Sequence, residues 1–222
     1  MRLAMVCVAG GSGVRFGGDK LAEQLGGTTV LEASVAALLA ADADAPLAVV
    51  VPEARRDAWM KVFGTAPRVR VVSGGARRQD SVRLGVEAVL DGEPQAVAIH
   101  DGARPLVHPE DVHGAVLALG DAAGTILCGR AVDTVKRVGS DGFVRETIDR
   151  RQLRMAQTPQ VFRISALLRA WQEVPAETEW TDEAAMLESL GMPVRSVVAH
   201  HPNPKLTTAD DLRLIRALWS HG

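Results

Sequence analysis

The run Ala9-Gly10-Gly11-Ser12-Gly13-Val14-Arg15-Phe16-Gly17-Gly18-Asp19-Lys20 has the make-up of an anion cradle. Glycines let a backbone turn tightly and approach a ligand, so successive N–H groups, those of Gly11, Ser12 and Gly13 among them, can aim at phosphate oxygens. Arg15 and Lys20 add two cations five residues apart. Such a pair suits the triphosphate of a reacting nucleotide, where charge must be neutralised as a bond breaks. An ATPase-type loop would end in Gly-Lys-Ser/Thr, and Gly18-Asp19-Lys20-Leu21 offers neither that order nor the hydroxyl. A dinucleotide fingerprint would need glycine at Phe16 and an acid closing the second strand, which ends instead in Pro52-Glu53. The plain alternative is a turn carrying two solvated cations.

Two further stretches carry polar groups in suggestive places. In His100-Asp101-Gly102-Ala103-Arg104-Pro105 an acid ends a buried strand, where it could meet sugar hydroxyls or metal-bound water, or simply cap its turn and pair with Arg104. Gly74-Gly75-Ala76-Arg77-Arg78-Gln79-Asp80-Ser81 reads as a turn entering a helix, whose first N–H groups are free donors; the Ser81 hydroxyl could serve a ligand or bond its own backbone. His200-His201 does not indicate a metal enzyme, since neighbours on a strand face opposite ways and no Cys, His or carboxylate spacing accompanies them. Cys7 and Cys128 sit in apolar runs and read as reduced core thiols.

These residues need a scaffold, and the pattern indicates an α/β one. Short Val- and Ile-rich runs at Leu3–Val8, Leu47–Val51, Val69–Val72, Ala96–His100, Thr125–Cys128 and Val194–Ala199 predict strands buried on both faces. Helical periodicity lies between them, at Val30–Ala41, Gln79–Leu90, Pro109–Leu119 and Ala209–Trp219. A Rossmann-like three-layer sandwich with a mainly parallel sheet follows, with residues 1–222 as a single domain. The stretch 131–150 breaks the alternation. Ala131–Val138 and Phe143–Arg150 flank Gly139-Ser140-Asp141-Gly142 as a charged β-hairpin, and a lone hairpin is marginal, so it should project and pack on a second subunit.

Composition narrows the partners. A net charge of -2 gives no general field for nucleic acid, and 4% aromatic residues with no Tyr leave little for base stacking. No apolar run spans a bilayer. The first eight residues run straight into the glycine loop without a cleavage site and read as a strand, so a cytoplasmic protein is expected.

Five motifs in order then carry a resemblance: the glycine loop; His100-Asp101-Gly102-Ala103-Arg104-Pro105; Val132-Asp133-Thr134-Val135-Lys136; Thr158-Pro159-Gln160-Val161-Phe162 with Thr181-Asp182-Glu183-Ala184; and Asn203-Pro204-Lys205-Leu206-Thr207. Together they resemble the 2-C-methyl-D-erythritol 4-phosphate cytidylyltransferases, over about Met5 to Leu218. The resemblance implies transfer of CMP from CTP to 2-C-methyl-D-erythritol 4-phosphate by in-line attack on the α-phosphorus, with magnesium carried on the CTP phosphates and no dedicated protein ligand set. It makes Arg15, Lys20 and Lys205 the charge-stabilising residues. Ala9, Gly10, Gly75 and Ser81 would meet the cytosine; with Gly11, Ser12, Gly13 and Asp101 they would form the CTP site. Asp101, Gly102 and Arg104 would line the sugar-phosphate end, and Thr134 and Arg150 would reach the substrate phosphate of a neighbouring subunit, implying a homodimer. The alternatives are a ribitol 5-phosphate cytidylyltransferase, another sugar-phosphate nucleotidyltransferase, or a nucleotide-binding protein without turnover. The chain departs from the usual family pattern at Val8, Asp19, Leu21, Ala76 and Pro202.

Overall fold

The computed structural model describes residues 1–10 and 19–220. Its strands in chain order are β1 Leu3–Val8, β2 Gln24–Leu25, β3 Thr28–Thr29, β4 Leu47–Val51, β5 Val69–Ser73, β6 Ala96–Asp101, β7 Gly124–Arg130, β8 Val135–Val138, β9 Val144–Ile148, β10 Arg154–Arg163 and β11 Val194–Val198. The helices are α1 Val30–Ala41, α2 Glu53–Phe63, α3 Arg78–Glu87, α4 Pro109–Ala118, α5 Ile164–Glu173, α6 Glu183–Ser189 and α7 Ala209–Trp219.

Among the described residues the main sheet has seven strands in the order β11-β7-β10-β6-β1-β4-β5. β10 runs antiparallel to β6 and β7, and every other pairing is parallel. Helices on both faces explain why the strands read as apolar runs without alternation. In β1, Met5 and Cys7 join the core beneath α1, α4 and α7, while Ala4 and Val6 join the core beneath α3, α5 and α6. α1 starts on a reciprocal cap, in which the Thr29 hydroxyl accepts the Glu32 N–H and the Glu32 carboxylate accepts the Thr29 N–H.

The helix entering from the Gly74–Arg77 turn lies tight on the sheet. A β-carbon at Gly85 would stand 2.5 Å from a Val6 methyl and 2.6 Å from a Val50 methyl. Gly85→Ala is therefore expected to lower unfolding free energy by about 1–3 kcal/mol through overpacking, more than the helix propensity that alanine returns. Urea denaturation of the variant checks this.

Several sequence expectations shift. The strand at residue 69 extends to Ser73, the strand at residue 96 takes in Asp101, and the helix drawn at Gln79–Leu90 spans Arg78–Glu87. The hairpin arms shorten to Val135–Val138 and Val144–Ile148. α2, α5 and the strand β10 were not drawn from the sequence. β10 is missed because its outer part, Arg154 to Ala156, is exposed, while its buried part, Thr158 to Phe162, mixes polar residues with apolar ones.

Candidate active site

The strand order reverses beside β1. The chain moves one way from β1 to β4 and β5, then crosses back to place β6 on the other side of β1. Loops at the carboxyl ends of strands diverge at such a point and leave a crevice. Here a cleft of about 310 Å³ is lined by Ala9 and Gly10 beyond β1, Gly75 and Ser81 at the entry to α3, and Lys20 and Lys205. Asp101, at the end of β6, also faces it. Arg15, Gly11, Ser12 and Gly13 lie outside the described residues.

Lys20 follows Asp19, whose carboxylate accepts the Leu21 N–H and pairs with Arg55 at 2.9 Å. Its ammonium donates to the Leu206 carbonyl at 3.0 Å, on the segment that carries Lys205. That segment is pinned beside the cleft by the Leu206 N–H, which donates to the Ala103 carbonyl at 2.8 Å. Lys205 Nζ donates to the Asp101 carboxylate at 2.6 Å.

Asp101 also meets Arg78 at 3.5 Å. Burial pushes its carboxyl pKa up, but the Arg78 and Lys205 cations outweigh burial and hold it at about 2. Arg78 in turn donates to both oxygens of Glu183, a carboxylate only 3% exposed. Burial raises the Glu183 pKa against the pull of Arg78. Lys205, Asp101, Arg78 and Glu183 thus form a chain of alternating charge that ends in the core.

The backbone under Asp101 is fixed by a buried relay. The Arg104 carbonyl can only accept, so His100 Nε2 carries the proton it donates there at 3.1 Å. His100 Nδ1 then accepts from the Thr158 hydroxyl at 3.1 Å, and that hydroxyl oxygen accepts the Asp101 N–H at 3.0 Å. Full burial lowers the His100 pKa to about 4, which keeps the imidazole neutral in this role. Arg104 does not pair with Asp101 as one sequence reading allowed; its guanidinium donates to the Asn203 carbonyl at 2.6 Å. Gly102 leaves room for α1, since a β-carbon there would stand 2.8 Å from Leu31.

Ser81 satisfies its backbone reading. Its hydroxyl oxygen accepts the Gly75 N–H at 3.0 Å and its proton reaches the Arg77 carbonyl at 3.2 Å, closing the turn while facing the cleft. Thr134 and Arg150 are exposed on the arm and do not line this cleft. The Arg150 guanidinium donates to the Val132 carbonyl across the base of the hairpin. Cys7 and Cys128 are both buried free thiols, and burial raises the pKa of each, that of Cys128 to about 11.

Sequence reasoning missed Arg78, Glu183, His100 and Thr158 as site residues, although each lies in a quoted motif. The available signal was at His100, a polar side chain closing an apolar strand run, which must find partners when buried; Arg78 and Glu183 lie in polar stretches that give no such signal.

The sequence model of the family described as 2-C-methyl-D-erythritol 4-phosphate cytidylyltransferase matches residues 3–220. The chain is 42% identical to the bifunctional enzyme IspD/IspF of Rhodospirillum rubrum, over 98% of this chain and 57% of that one. It is 37% identical to the 2-C-methyl-D-erythritol 4-phosphate cytidylyltransferase of Symbiobacterium thermophilum, over 97% of this chain and 92% of that protein. The chain thus spans little more than half the length of its bifunctional relatives. Among solved structures, 4-diphosphocytidyl-2C-methyl-D-erythritol synthase from Anaerococcus prevotii superposes with a TM-score of 0.87 at 25% identity, covering 99% of this chain and 98% of that one. The Thermus thermophilus 2-C-methyl-D-erythritol 4-phosphate cytidylyltransferase gives a TM-score of 0.77 at 28% identity, over 99% of this chain and 100% of that one. Since the match takes in the cleft, the arm and the closing helix alike, the chain belongs to the 2-C-methyl-D-erythritol 4-phosphate cytidylyltransferase family.

Proposed function

We propose that this chain transfers a cytidylyl group from CTP to 2-C-methyl-D-erythritol 4-phosphate, giving 4-diphosphocytidyl-2-C-methyl-D-erythritol and pyrophosphate. One observation carries the reading: Lys20 bonds the backbone beside Lys205, so two ammonium groups converge on a cleft that Ala9 and Gly10 line just beyond β1. A phosphate oxygen of the sugar phosphate attacks the α-phosphorus of CTP as the bond to pyrophosphate breaks. Lys20 and Lys205, with Arg15 from the glycine loop, oppose the negative charge that gathers at the five-coordinate phosphorus. Ala9, Gly10, Gly75 and Ser81 frame the base, and Asp101, Gly102 and Arg104 the acceptor. Asp101 orients Lys205 rather than acting as a base, because a carboxyl held at about 2 is a feeble proton acceptor.

Asp101 is the single carboxylate among the described cleft residues. One hard oxygen donor fits a magnesium ion that arrives on the triphosphate, not an all-protein cage. When bound, that ion would neutralise phosphate charge.

The arm supports assembly into a homodimer. Val132, Val138, Phe143, Val144 and Met155 stand 57–76% exposed on or beside it, an apolar surface that a hairpin alone does not bury. Thr134 and Arg150 would then serve the partner's site. Among the described residues no helix is long and apolar enough to cross a membrane; we place the reaction in the cytoplasm, where CTP is made.

Pyrophosphate release from CTP, GTP, ATP and UTP, each offered with methylerythritol phosphate or ribitol phosphate, tests the reading. Release is expected with CTP and methylerythritol phosphate. Faster release with ribitol phosphate or another nucleotide reassigns the substrate, and none with any pair means binding without turnover. In the same assay, mixed Arg150→Ala and Lys205→Ala proteins should recover activity that neither has alone; no recovery from demonstrated mixed dimers excludes a shared site.

A further inference from the structure

At the carboxyl end of the sheet, beyond the residues that line the cleft, the N-terminus of α4 meets the connection that follows β11. His108 caps α4, with its Nδ1 accepting the Glu110 N–H at a long 3.3 Å. His201 arrives from the other segment, and the two imidazoles lie 3.7 Å apart between centroids. The Glu110 carboxylate reaches over both: its Oε2 is 3.9 Å from His108 Nδ1 and 3.8 Å from His201 Nε2. One ligand atom from each of the three residues lies within 4.8 Å of the others.

A fourth residue sets the chemistry of the cluster. The Asp111 side chain is 1% exposed, and its two oxygens accept the backbone N–H groups of His200 and His201 at 2.9 and 3.1 Å. The same carboxylate stands 3.1 Å from His201 Nδ1. A carboxylate can only accept, so the Nδ1 proton points at Asp111 and the Nε2 lone pair points away from it, toward Glu110. A buried carboxylate that fixes one ring nitrogen so as to present the other is how proteins orient a metal-bound histidine.

We propose that His108, Glu110 and His201 form a binding site for a divalent transition-metal ion such as Zn2+, separate from the nucleotide cleft. Two imidazoles and one carboxylate favour a borderline ion over Mg2+ or Ca2+, which take oxygen. Zinc bonds of about 2.0–2.2 Å place tetrahedral ligands about 3.3 Å apart, so the 3.8 and 3.9 Å separations close by about half an ångström. Glu110 is 76% exposed and His108 43%, so both can turn to make that closure and unstack the rings. The ion takes over the His108 lone pair from its weak cap, and water completes the shell. It ties α4 to the segment leading into Asn203 and Lys205. The adjacent His200-His201 pair offers no such set by itself; His201 is completed by residues some ninety positions earlier, which local spacing does not reveal.

Zn2+ titration of the metal-free protein against a chromogenic chelator, without nucleotide and with excess Mg2+, tests the site. The wild type should take up one equivalent and show a raised thermal midpoint with Zn2+. His201→Ala and His108→Ala should lose both effects, and His113→Ala should keep both. Asp111→Asn should weaken binding about 10–100-fold, as expected of a residue that orients a ligand. No uptake by the wild type, or equal uptake by His201→Ala, overturns the proposal.

Discussion

Lys20→Ala is expected to lower kcat for pyrophosphate release by about two to three orders of magnitude while leaving the fold in place. Removing one preorganised charge or donor from a developing negative centre costs about that much in rate. The ammonium sits in a part-buried position and is steered by the Leu206 carbonyl at 3.0 Å, so it is already placed before substrate arrives. The structural cost should be small, since one partly exposed hydrogen bond contributes about 1 kcal/mol. Lys20→Arg keeps the charge but not the compact ammonium and should recover part of the rate. Thermal denaturation alongside the pyrophosphate assay separates the two effects. A variant with near wild-type kcat would remove Lys20 from the chemistry, and the glycine loop would then bind nucleotide without a cation from its C-terminal end.

The prominence of Lys20 in the sequence, and the obscurity of its neighbours, has a physical basis. A glycine-rich turn directly after a buried strand permits a close approach of backbone to a ligand, and two cations within it indicate an anionic one. Strands such as Leu47–Val51 are similarly plain, because burial on both faces demands an unbroken apolar run. β10 was hidden because its ten residues cross from solvent into the core, and no single period describes them. Glu183 and Arg78 were hidden for a related reason. Each belongs to a polar stretch that reads as surface, and only the fold brings the buried Glu183 carboxylate against the half-buried Arg78. Asp101 was visible as an acid ending a strand, yet its partners were not. The nearby Arg104 is the partner that local spacing suggests, and Lys205, 104 residues away, is the one the fold supplies.

That pairing sets up the second large effect. In Asp101→Asn the amide keeps the shape but no longer holds Lys205 by charge, while Arg78 retains Glu183. kcat should fall by about 10²-fold, because a misplaced stabilising group loses most of its value even when it remains present. KM for CTP should stay level or fall, since on the proposed function a negative charge has been taken from the triphosphate's surroundings; a merely structural residue would raise it. Stability carries a separate signature. The folded pKa of about 2 lies below the ordinary 3.8, so the carboxylate contributes stability that is complete above about pH 4 and disappears as pH falls through 2. That contribution is about 2 kcal/mol by linkage. Between pH 4 and pH 2 the wild type should therefore lose about 2 kcal/mol more than Asp101→Asn, measured by urea denaturation at each pH. Parallel pH profiles for the two proteins would mean that Lys205 and Arg78 do not hold the acid ionised, and the reading of Asp101 as the anchor of Lys205 would fail with them.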